Sequence, residues 1–358
     1  MDTLHVALVG CGFWAAQAHL PALRELPEVQ VVACVGRDDD EAGAFAAAQG
    51  IASAYVSLDE LLAKESLDAL VISTPDDLHV AGVEAAFGAG IGVFCEKPLA
   101  NVASEAWRVT RMGADAGVVA TVGYSFRYSA AVQALRDDFR SGALGTPWLV
   151  ELYEYNAQFH PRGGKPMNWK GDPRHARAGA LFEYGSHAVD IAQWIVGPVE
   201  RVVSGQSRVL PGARLDDVST VLMDFGGPTL GTLTCGWVLA GEAPGLRVRL
   251  HGSEGAAEAL LDQTLDGGEV YRRLSVDGRP VSERELPFQP EFGRSRYAVH
   301  HLGDFCRALR GGPPVFGETM PTFEEAAGVQ TLLDTVLEAT DRWRETGVAQ
   351  PNCLDIRQ

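Results

Sequence analysis

The sequence lacks several features that would place it in a special class of protein. None of its stretches approaches the roughly 18 consecutive apolar residues that a membrane-spanning helix needs. The first residues lead directly into an apolar run, without the basic segment that begins a secretory signal peptide. Basic residues are also scarce, because 30 Lys and Arg stand against 47 Asp and Glu and leave a net charge of −17. We therefore expect a cytoplasmic protein that neither enters a membrane nor binds nucleic acid, since general nucleic-acid binding needs a basic face.

Cysteine is the other scarce component. Only six cysteines occur in 358 residues, and none forms a C-x-x-C pair. Redox motifs and zinc sites commonly use such pairs. The scattered pattern predicts reduced, buried thiols in a cytosolic protein. The six residues are Cys11, Cys34, Cys95, Cys235, Cys306 and Cys353.

Residues 1–123 alternate short apolar runs with segments of helical spacing. Such alternation is typical of βαβ units, which build a doubly wound parallel sheet with right-handed crossovers. We therefore predict an N-terminal dinucleotide-binding domain of the Rossmann type over 1–123. Its predicted strands are 5–9, 31–35, 69–73, 92–95 and 118–122, and its predicted helices are 15–23, 41–49, 58–65, 79–89 and 103–116.

The pattern changes over 124–358, where several strand-like runs follow one another between turns rich in Gly, Pro and Asp. This favours an α+β domain with a large, mostly antiparallel open sheet. Few helical segments separate the strands, so one face of the sheet is expected to pair with another chain. The predicted strands are 148–155, 202–209, 218–225, 229–237, 246–252 and 269–274, the predicted helices are 130–139, 182–196, 295–309 and 322–345, and 280–290 is predicted to be an irregular loop.

A glycine-rich turn separates the first predicted strand from the first predicted helix. Its residues, 10–15, match the G-x-G-x-x-A form of a dinucleotide fingerprint. The first glycine would allow a tight turn, the second would let the backbone approach a pyrophosphate, and the alanine would let the helix pack on the sheet. The predicted cofactor contacts here are Gly10, Gly12, Phe13, Trp14 and Ala15.

The end of the second strand bears on the choice between the two dinucleotides. NAD binders place a carboxylate there, against the ribose 2′-hydroxyl. This chain has Gly36 and Arg37, which suit the 2′-phosphate of NADP because a guanidinium can bind phosphate and stack on adenine. The alternative is that Arg37 is a solvated turn residue and Asp38 reaches the ribose. We favour NADP(H) over NAD(H).

Glu96-Lys97-Pro98 comes directly after a buried strand. A lysine at the carboxyl edge of the sheet can hold or relay the proton that accompanies hydride transfer at a substrate oxygen. The Lys97–Pro98 bond is a candidate cis peptide, which would aim the lysine inward. Further cofactor candidates at this edge are Thr74, Pro75, His79, Glu96 and Lys97 itself.

A second polar cluster lies in the predicted helix 182–196. Glu183 and His187 are four residues apart, so they share one face of a helix and could form an acid–base pair. A zinc pair is an alternative for E-x-x-x-H, but no third ligand stands at a suitable spacing, and no metal is expected. A buried structural histidine is the other alternative.

Together these motifs resemble the glucose–fructose oxidoreductase/inositol dehydrogenase/rhizopine-catabolism (Gfo/Idh/MocA) family over essentially the whole chain. The resemblance implies that Lys97 is the catalytic lysine and that His187 contacts the reacting hydroxyl or carbonyl. Members commonly have Asp where this chain has Glu183, which leaves open whether Glu183 acts directly or shapes the pocket. The family also implies sugar or polyol substrates, and a homodimer or homotetramer formed through the open sheet. The matching segments are 10–15, 96–98, 123–128, 169–170, 179–187 and 321–326.

These observations predict an NADP(H)-dependent oxidoreductase for sugars, polyols or their derivatives. Two alternatives stay open at this point: a non-enzymatic regulator that senses a dinucleotide, and a lyase or hydrolase that works through transient oxidation with a tightly bound cofactor. A sugar pocket needs hydrogen-bonding side chains and an aromatic platform. The candidates for substrate contact are Arg127, Tyr128, Tyr155, Trp169 and Lys170.

Overall fold

The structure of the chain is a computed structural model, in which most residues can be described. Cys353, Ser295 and the last part of the predicted loop, residues 287–290, lie outside the described residues. No helix among the described residues is long and apolar enough to cross a membrane. The described residues are 3–240, 245–262, 268–286, 296–346 and 354–355.

The chain divides into two compact units. Unit 1 comprises Met1–Tyr128 together with Gln289–Ala327, and unit 2 comprises Ser129–Phe288 together with Gly328–Gln358. A segment from late in the chain therefore belongs with the N-terminal residues. The assignment of 1–123 to the cofactor and of 124–358 to substrate and assembly stays a prediction.

The helices match the predicted positions closely. Two short π-helical turns, Ala15–His19 and Leu181–Gly185, come directly before α1 and α7 and take up the first part of two predicted helices. The α-helices are α1 Leu20–Arg24, α2 Asp39–Gln49, α3 Leu58–Lys64, α4 His79–Ala89, α5 Ala103–Ala116, α6 Ala130–Arg140, α7 Ser186–Val196, α8 Arg296–Leu309 and α9 Phe323–Thr346.

A six-stranded parallel sheet forms the centre of unit 1, which confirms the predicted Rossmann-type architecture. In chain numbering the strand order is 3-2-1-4-5-6, so the direction of winding reverses between the first and fourth strands. Ligands of such sheets bind outside the carboxyl ends of the strands at this reversal. The strands are β1 Leu4–Val9, β2 Val29–Val35, β3 Ser53–Tyr55, β4 Ala69–Ile72, β5 Gly92–Cys95 and β6 Ala120–Val122.

Unit 2 contains a nine-stranded sheet with the order β14-β13-β12-β11-β7-β10-β9-β8-β15. All neighbouring strands are antiparallel except β7 and β10, which confirms the predicted large, mostly antiparallel sheet. The strands are β7 Pro147–Tyr155, β8 Arg201–Ser207, β9 Val218–Asp224, β10 Leu230–Gly236, β11 Gly245–Gly252, β12 Gly255–Asp262, β13 Glu269–Leu274, β14 Pro280–Leu286 and β15 Leu354–Asp355.

Helices of unit 2 cover one face of this sheet. α6 packs on β12 and β13, α7 packs on β7, and Ser204 of β8 donates a hydrogen bond to the carbonyl of Val336 in α9. On the opposite face Val203, Leu222 and Leu230 are 40%, 46% and 46% exposed. Val203 and Leu222 are direct cross-strand partners there. Among the described residues, unit 2 therefore has an uncovered sheet face with an apolar part.

Two predictions for unit 2 were wrong in detail. Residues 280–286 form β14, whereas the sequence predicted an irregular loop from 280 to 290. Residues 255–262 form β12, for which the sequence predicted no element. Both segments pair with neighbouring strands along their length, so the sheet itself supplies the hydrogen bonds that decide their conformation.

Candidate functional site

The glycine-rich turn of unit 1 has the geometry that a dinucleotide requires. Gly10 has φ +102°, and a Cβ added to it would lie 2.8 Å from the carbonyl oxygen of Ser73. A Cβ added to Gly12 would meet no atom within 4 Å, so the backbone there faces open space. Ala15 is fully buried where the helix packs on the sheet. The residues therefore fit the pyrophosphate of a dinucleotide.

Two aromatic side chains follow this turn and are exposed. Phe13 is 58% and Trp14 is 40% exposed, and their rings pack edge to face at 5.7 Å. The next residues form the π-helical turn Ala15–His19, and single π turns are frequent at functional sites. Exposed aromatic rings beside an open backbone suit contact with a flat ligand.

The end of β2 makes its contacts with the start of α2. A Cβ on Gly36 would lie 2.8 Å from the backbone nitrogen of Ala42, so glycine is needed here for the close approach of α2. The absent side chain therefore serves the packing of α2, and contact of Gly36 with a cofactor stays a prediction. Arg37 is exposed, with Nε 3.1 Å from the carboxylate of Asp38, and its amide donates to Glu41 at 2.8 Å. Asp38 itself accepts the amide of Glu41 and begins α2.

Lys97 lies at the carboxyl end of β5, and the Lys97–Pro98 bond is cis, as predicted. Lys97 and the preceding Glu96 are both partly exposed, whereas the following Pro98 is buried. Its amide donates to Oε2 of Glu96 at 3.2 Å. The other carboxylate oxygen, Oε1, lies 3.0 Å from Nε2 of His19, which belongs to the π-helical turn. Glu96 therefore connects the loop that carries Lys97 with the helix that begins at the fingerprint.

Glu96 carries its charge at neutral pH. Burial would raise the pKa of the carboxyl, but His19 and Lys97 outweigh burial and hold the pKa below its usual value. Gly123 lies against this carboxylate, since a Cβ added to it would come within 2.9 Å of Glu96. His19 was not among the predicted site residues, and its one signal was a position one helical turn after the fingerprint.

His79, the first residue of α4, lies below this edge of the sheet. Its ring is buried, with Nδ1 2.7 Å from the carbonyl oxygen of Pro98 and Nε2 3.1 Å from that of Thr74. Thr74 and Pro75 follow β4, the neighbour of β5, and both are partly exposed. The structure thus joins Thr74, His79 and Pro98 at the edge of the sheet. Direct contact of His79 with a cofactor stays a prediction.

The second cluster lies in unit 2. Within Leu181–Asp190, Glu183 and His187 are the two residues that are not buried. Glu183 belongs to the π-helical turn and His187 to the first turn of α7. The carboxylate of Glu183 forms an ion pair with Nζ of Lys170, and each of these side chains is 17% exposed. Two predicted site residues, Lys170 and Glu183, are therefore in direct contact. The ion pair indicates that the carboxylate of Glu183 balances the charge of Lys170.

A buried carboxylate fixes the segment that leads into this helix. Asp216 accepts the amides of Gly179 at 2.6 Å and Leu181 at 2.9 Å, and the hydroxyl of Ser219 at 2.8 Å. Burial raises the pKa of Asp216 against the opposing effect of these donors. The sequence prediction missed this residue, which is 33 residues from Glu183 along the chain and has no local motif.

The predicted substrate residues have different surroundings. Arg127 is buried in unit 1 with Nη1 3.1 Å from a carboxylate oxygen of Glu325, and buried Tyr128 donates to Asp304 at 3.2 Å. These contacts favour a packing role for both. Tyr155 and Trp169 of unit 2 are partly exposed. Substrate contact stays a prediction for all of these residues.

The described part of the chain contains no group of three or more His, Cys, Asp or Glu side chains arranged to hold a metal ion. The described cysteines are free thiols, and all of them except the partly exposed Cys11 are buried.

Comparisons with known proteins agree with this geometry. Residues 4–124 match the model of an oxidoreductase family with an NAD-binding Rossmann fold, and residues 132–258 match the GFO/IDH/MocA C-terminal domain. D-apiose dehydrogenase of Paraburkholderia graminis is 30% identical over 276 residues, which cover 76% of this chain and 68% of that enzyme. The dTDP-3,4-didehydro-2,6-dideoxy-alpha-D-glucose 3-reductase of Streptomyces violaceoruber is 30% identical over 315 residues, which cover 86% and 85%.

A solved structure shows the same fold along nearly the whole chain. The oxidoreductase domain protein from Kribbella flavida superimposes with a TM-score of 0.82 at 23% identity, over 96% of this chain and 98% of that one. The fingerprint turn, the parallel sheet and both family matches lead to one conclusion. The chain belongs to the Gfo/Idh/MocA family of oxidoreductases with an NAD-binding Rossmann fold.

Proposed function

We propose that the protein is an NAD(P)-dependent dehydrogenase or ketoreductase that acts on a hydroxyl or keto carbon of a sugar, polyol or sugar derivative. The observation that carries this proposal is Lys97, which follows β5 at the edge of the parallel sheet where the fingerprint turn also lies. The names of the two relatives, an apiose dehydrogenase and a deoxysugar reductase, support a carbohydrate substrate.

Different residues would bind the cofactor, transfer the proton and set the local charge. Gly10, Gly12 and the first helical turn would hold the dinucleotide, which when bound supplies the hydride acceptor or donor. Lys97 and His187 would handle the proton of the reacting hydroxyl, and Lys97 would also stabilise negative charge on its oxygen. Glu183 and Lys170 would set the charge near His187.

The test is a screen of initial rates with NAD and NADP against sugars and polyols, and with the reduced forms against ketoses. A dehydrogenase forms one reduced dinucleotide for each molecule of product. A dinucleotide-sensing regulator would bind nucleotide without turnover. A lyase or hydrolase that works through transient oxidation would convert substrate without net reduction of the cofactor, so stoichiometry separates the three functions.

For the cofactor, we expect NADP to bind more tightly than NAD. Arg37 is 78% exposed, and the carboxylate of Asp38 accepts the amide of Glu41 at the start of α2. Arg37→Asp should flatten or reverse the preference, as measured by titration of both nucleotides. A wild-type protein that binds NAD about tenfold tighter, or ~1.4 kcal/mol, would refute the assignment.

Glu41 offers a matched variant for this prediction. Its carboxylate lies 3.9 Å from the guanidinium of Arg37 and competes with an incoming phosphate. Glu41→Gln removes that charge but keeps an acceptor for the Arg37 amide, so the preference for NADP should increase by about threefold. An unchanged ratio of the two dissociation constants would show that Arg37 does not contact the 2′-phosphate.

We also propose that the uncovered face of the nine-stranded sheet pairs with a second copy of the chain as a homodimer or homotetramer. The apolar residues Val203, Leu222 and Leu230 lie on that face, where Arg247 and Glu258 also form an ion pair. Leu222→Lys should shift the mass measured by light scattering to that of a monomer. Val315→Lys, at an exposed position of unit 1, is the control and should leave the mass unchanged. A wild-type protein that is a strict monomer at micromolar concentration would exclude this assembly.

A further inference from the structure

The ring of His79 lies between two backbone carbonyls at the edge of the parallel sheet. Its two nitrogens are 2.7 Å from the oxygen of Pro98 and 3.1 Å from that of Thr74. A carbonyl oxygen can only accept a hydrogen bond, and a neutral imidazole can donate only one. Both contacts are therefore hydrogen bonds only when the ring carries two protons and a positive charge.

The carbonyls belong to the two loops that leave adjacent strands. Thr74 follows β4, and Pro98 comes directly after Lys97 in the loop that leaves β5. His79 is 1% exposed, so water does not replace either bond. Since an unsatisfied buried carbonyl is costly, a doubly protonated ring connects these two loops strongly.

We infer that His79 is a positioning residue that, as a buried imidazolium, clamps the loop of Lys97 to the loop of Thr74 and so fixes the backbone of the lysine. The sequence predicted that His79 touches the cofactor. The clamp instead gives His79 an indirect role, which it performs through the two loops that it connects. This inference deepens the proposed function and rests on it only for the catalytic consequence.

The side chains that face the ring are consistent with the clamp. Asp76, in the short helical turn Asp76–Leu78 after β4, and Cys95, at the end of β5, face the ring. Burial by itself would lower the pKa of His79, but Cys95, Asp76 and the Pro98 carbonyl raise it to about 10. A group whose pKa rises on folding stabilises the native state fully below its unfolded pKa, near 6.5, and this stabilisation is lost as pH rises through about 10.

The protonation state can be measured without any substrate. In the wild-type protein labelled with ¹⁵N-histidine and assigned through its backbone, both ring nitrogens of His79 should carry protons at neutral pH and lose one near pH 10. A neutral ring at neutral pH would overturn the clamp. Because this measurement uses the wild-type protein, it does not depend on whether a variant at position 79 folds.

His79→Gln tests the positioning role, because glutamine can donate to one carbonyl only. We expect the thermal stability of the variant to approach that of the wild type as pH rises through about 10. We also expect the affinity for the preferred dinucleotide to fall by about threefold to tenfold, while that for the ADP-ribose counterpart, which lacks nicotinamide, stays unchanged. Equal loss of affinity for both ligands, or for neither, would contradict the positioning role.

The turnover of His79→Gln is the one measurement that depends on the proposed function. With a substrate in hand, kcat of His79→Gln should fall by about tenfold or more at an almost unchanged KM. Unchanged kcat beside a doubly protonated ring would show that the clamp is structural only. His5→Gln, at the amino end of β1 in the same sheet, is the matched control. If the wild type has no oxidoreductase activity, the clamp can still be tested by the protonation of the His79 ring and by the affinities for the dinucleotide and its ADP-ribose counterpart.

Discussion

Replacement of Lys97 by alanine should lower turnover by about 10²-fold or more, because it removes both a positioned proton donor and a positive charge at the developing oxyanion. The affinity for the dinucleotide should survive, since the backbone at Gly10 and Gly12 forms the open cradle for the pyrophosphate. Steady-state kinetics beside nucleotide titration measure the two effects separately.

Lys97→Arg separates the two roles of the lysine. Arginine keeps the positive charge but does not give up its proton at any accessible pH. If Lys97 only stabilises charge, arginine should restore part of the lost turnover; if it relays the proton, the arginine variant should stay as slow as the alanine variant. Lys64→Ala is the control, because Lys64 is a surface lysine of the same unit, paired with Glu60. Full turnover in Lys97→Ala would remove the basis of the assignment.

The parallel sheet of unit 1 could be predicted from sequence because its signals are local. The predicted bounds of α4 and α5 agree with the structure at both ends. Each helix stops at a glycine with positive φ, Gly90 or Gly117, and glycine is the residue that adopts this conformation at no steric cost. The strand between them, β5, is a buried apolar run, as expected for a strand covered on both faces.

The strands of unit 2 depend more on neighbours than on their own composition. β12 begins with glycine and two alanines, and β14 contains four charged or polar residues in a row, so neither has a strong strand preference. Each becomes a strand because the adjacent strands offer a complete row of hydrogen-bonding partners. That information is distributed over the sheet and is absent from a short window of sequence.

The candidate site shows the same distinction. The motifs predicted Lys97, Glu183 and His187 as site residues, because their residue types and spacing suggest a chemistry. The residues that support them, His19 beside Glu96 and Asp216 at Gly179, lie far away in sequence and form no motif. Gly36 shows a packing role that its motif does not indicate, since glycine there allows the close approach of α2.

Replacement of His187 by asparagine should lower turnover by about 10²-fold, with nucleotide affinity unchanged. Asparagine keeps a hydrogen-bonding side chain of smaller size but does not titrate near neutral pH. His187 is one of the two residues of Leu181–Asp190 that are not buried, so part of its side chain reaches the surface of unit 2. The variant should also lose one limb of the pH–rate profile.

Three further variants make this result specific to the proton. His187→Ala should be as slow as His187→Asn but should recover turnover when imidazole is added, because a free imidazole can take the place of the missing ring. Gln193→Ala, at a partly exposed position of the same helix, should leave turnover unchanged. Glu183→Gln breaks the ion pair with Lys170 and should change KM more than kcat if the carboxylate only balances charge. A His187→Asn protein that keeps both its turnover and its pH profile would exclude His187 from the proton transfer and leave Lys97 as the group that acts on the hydroxyl.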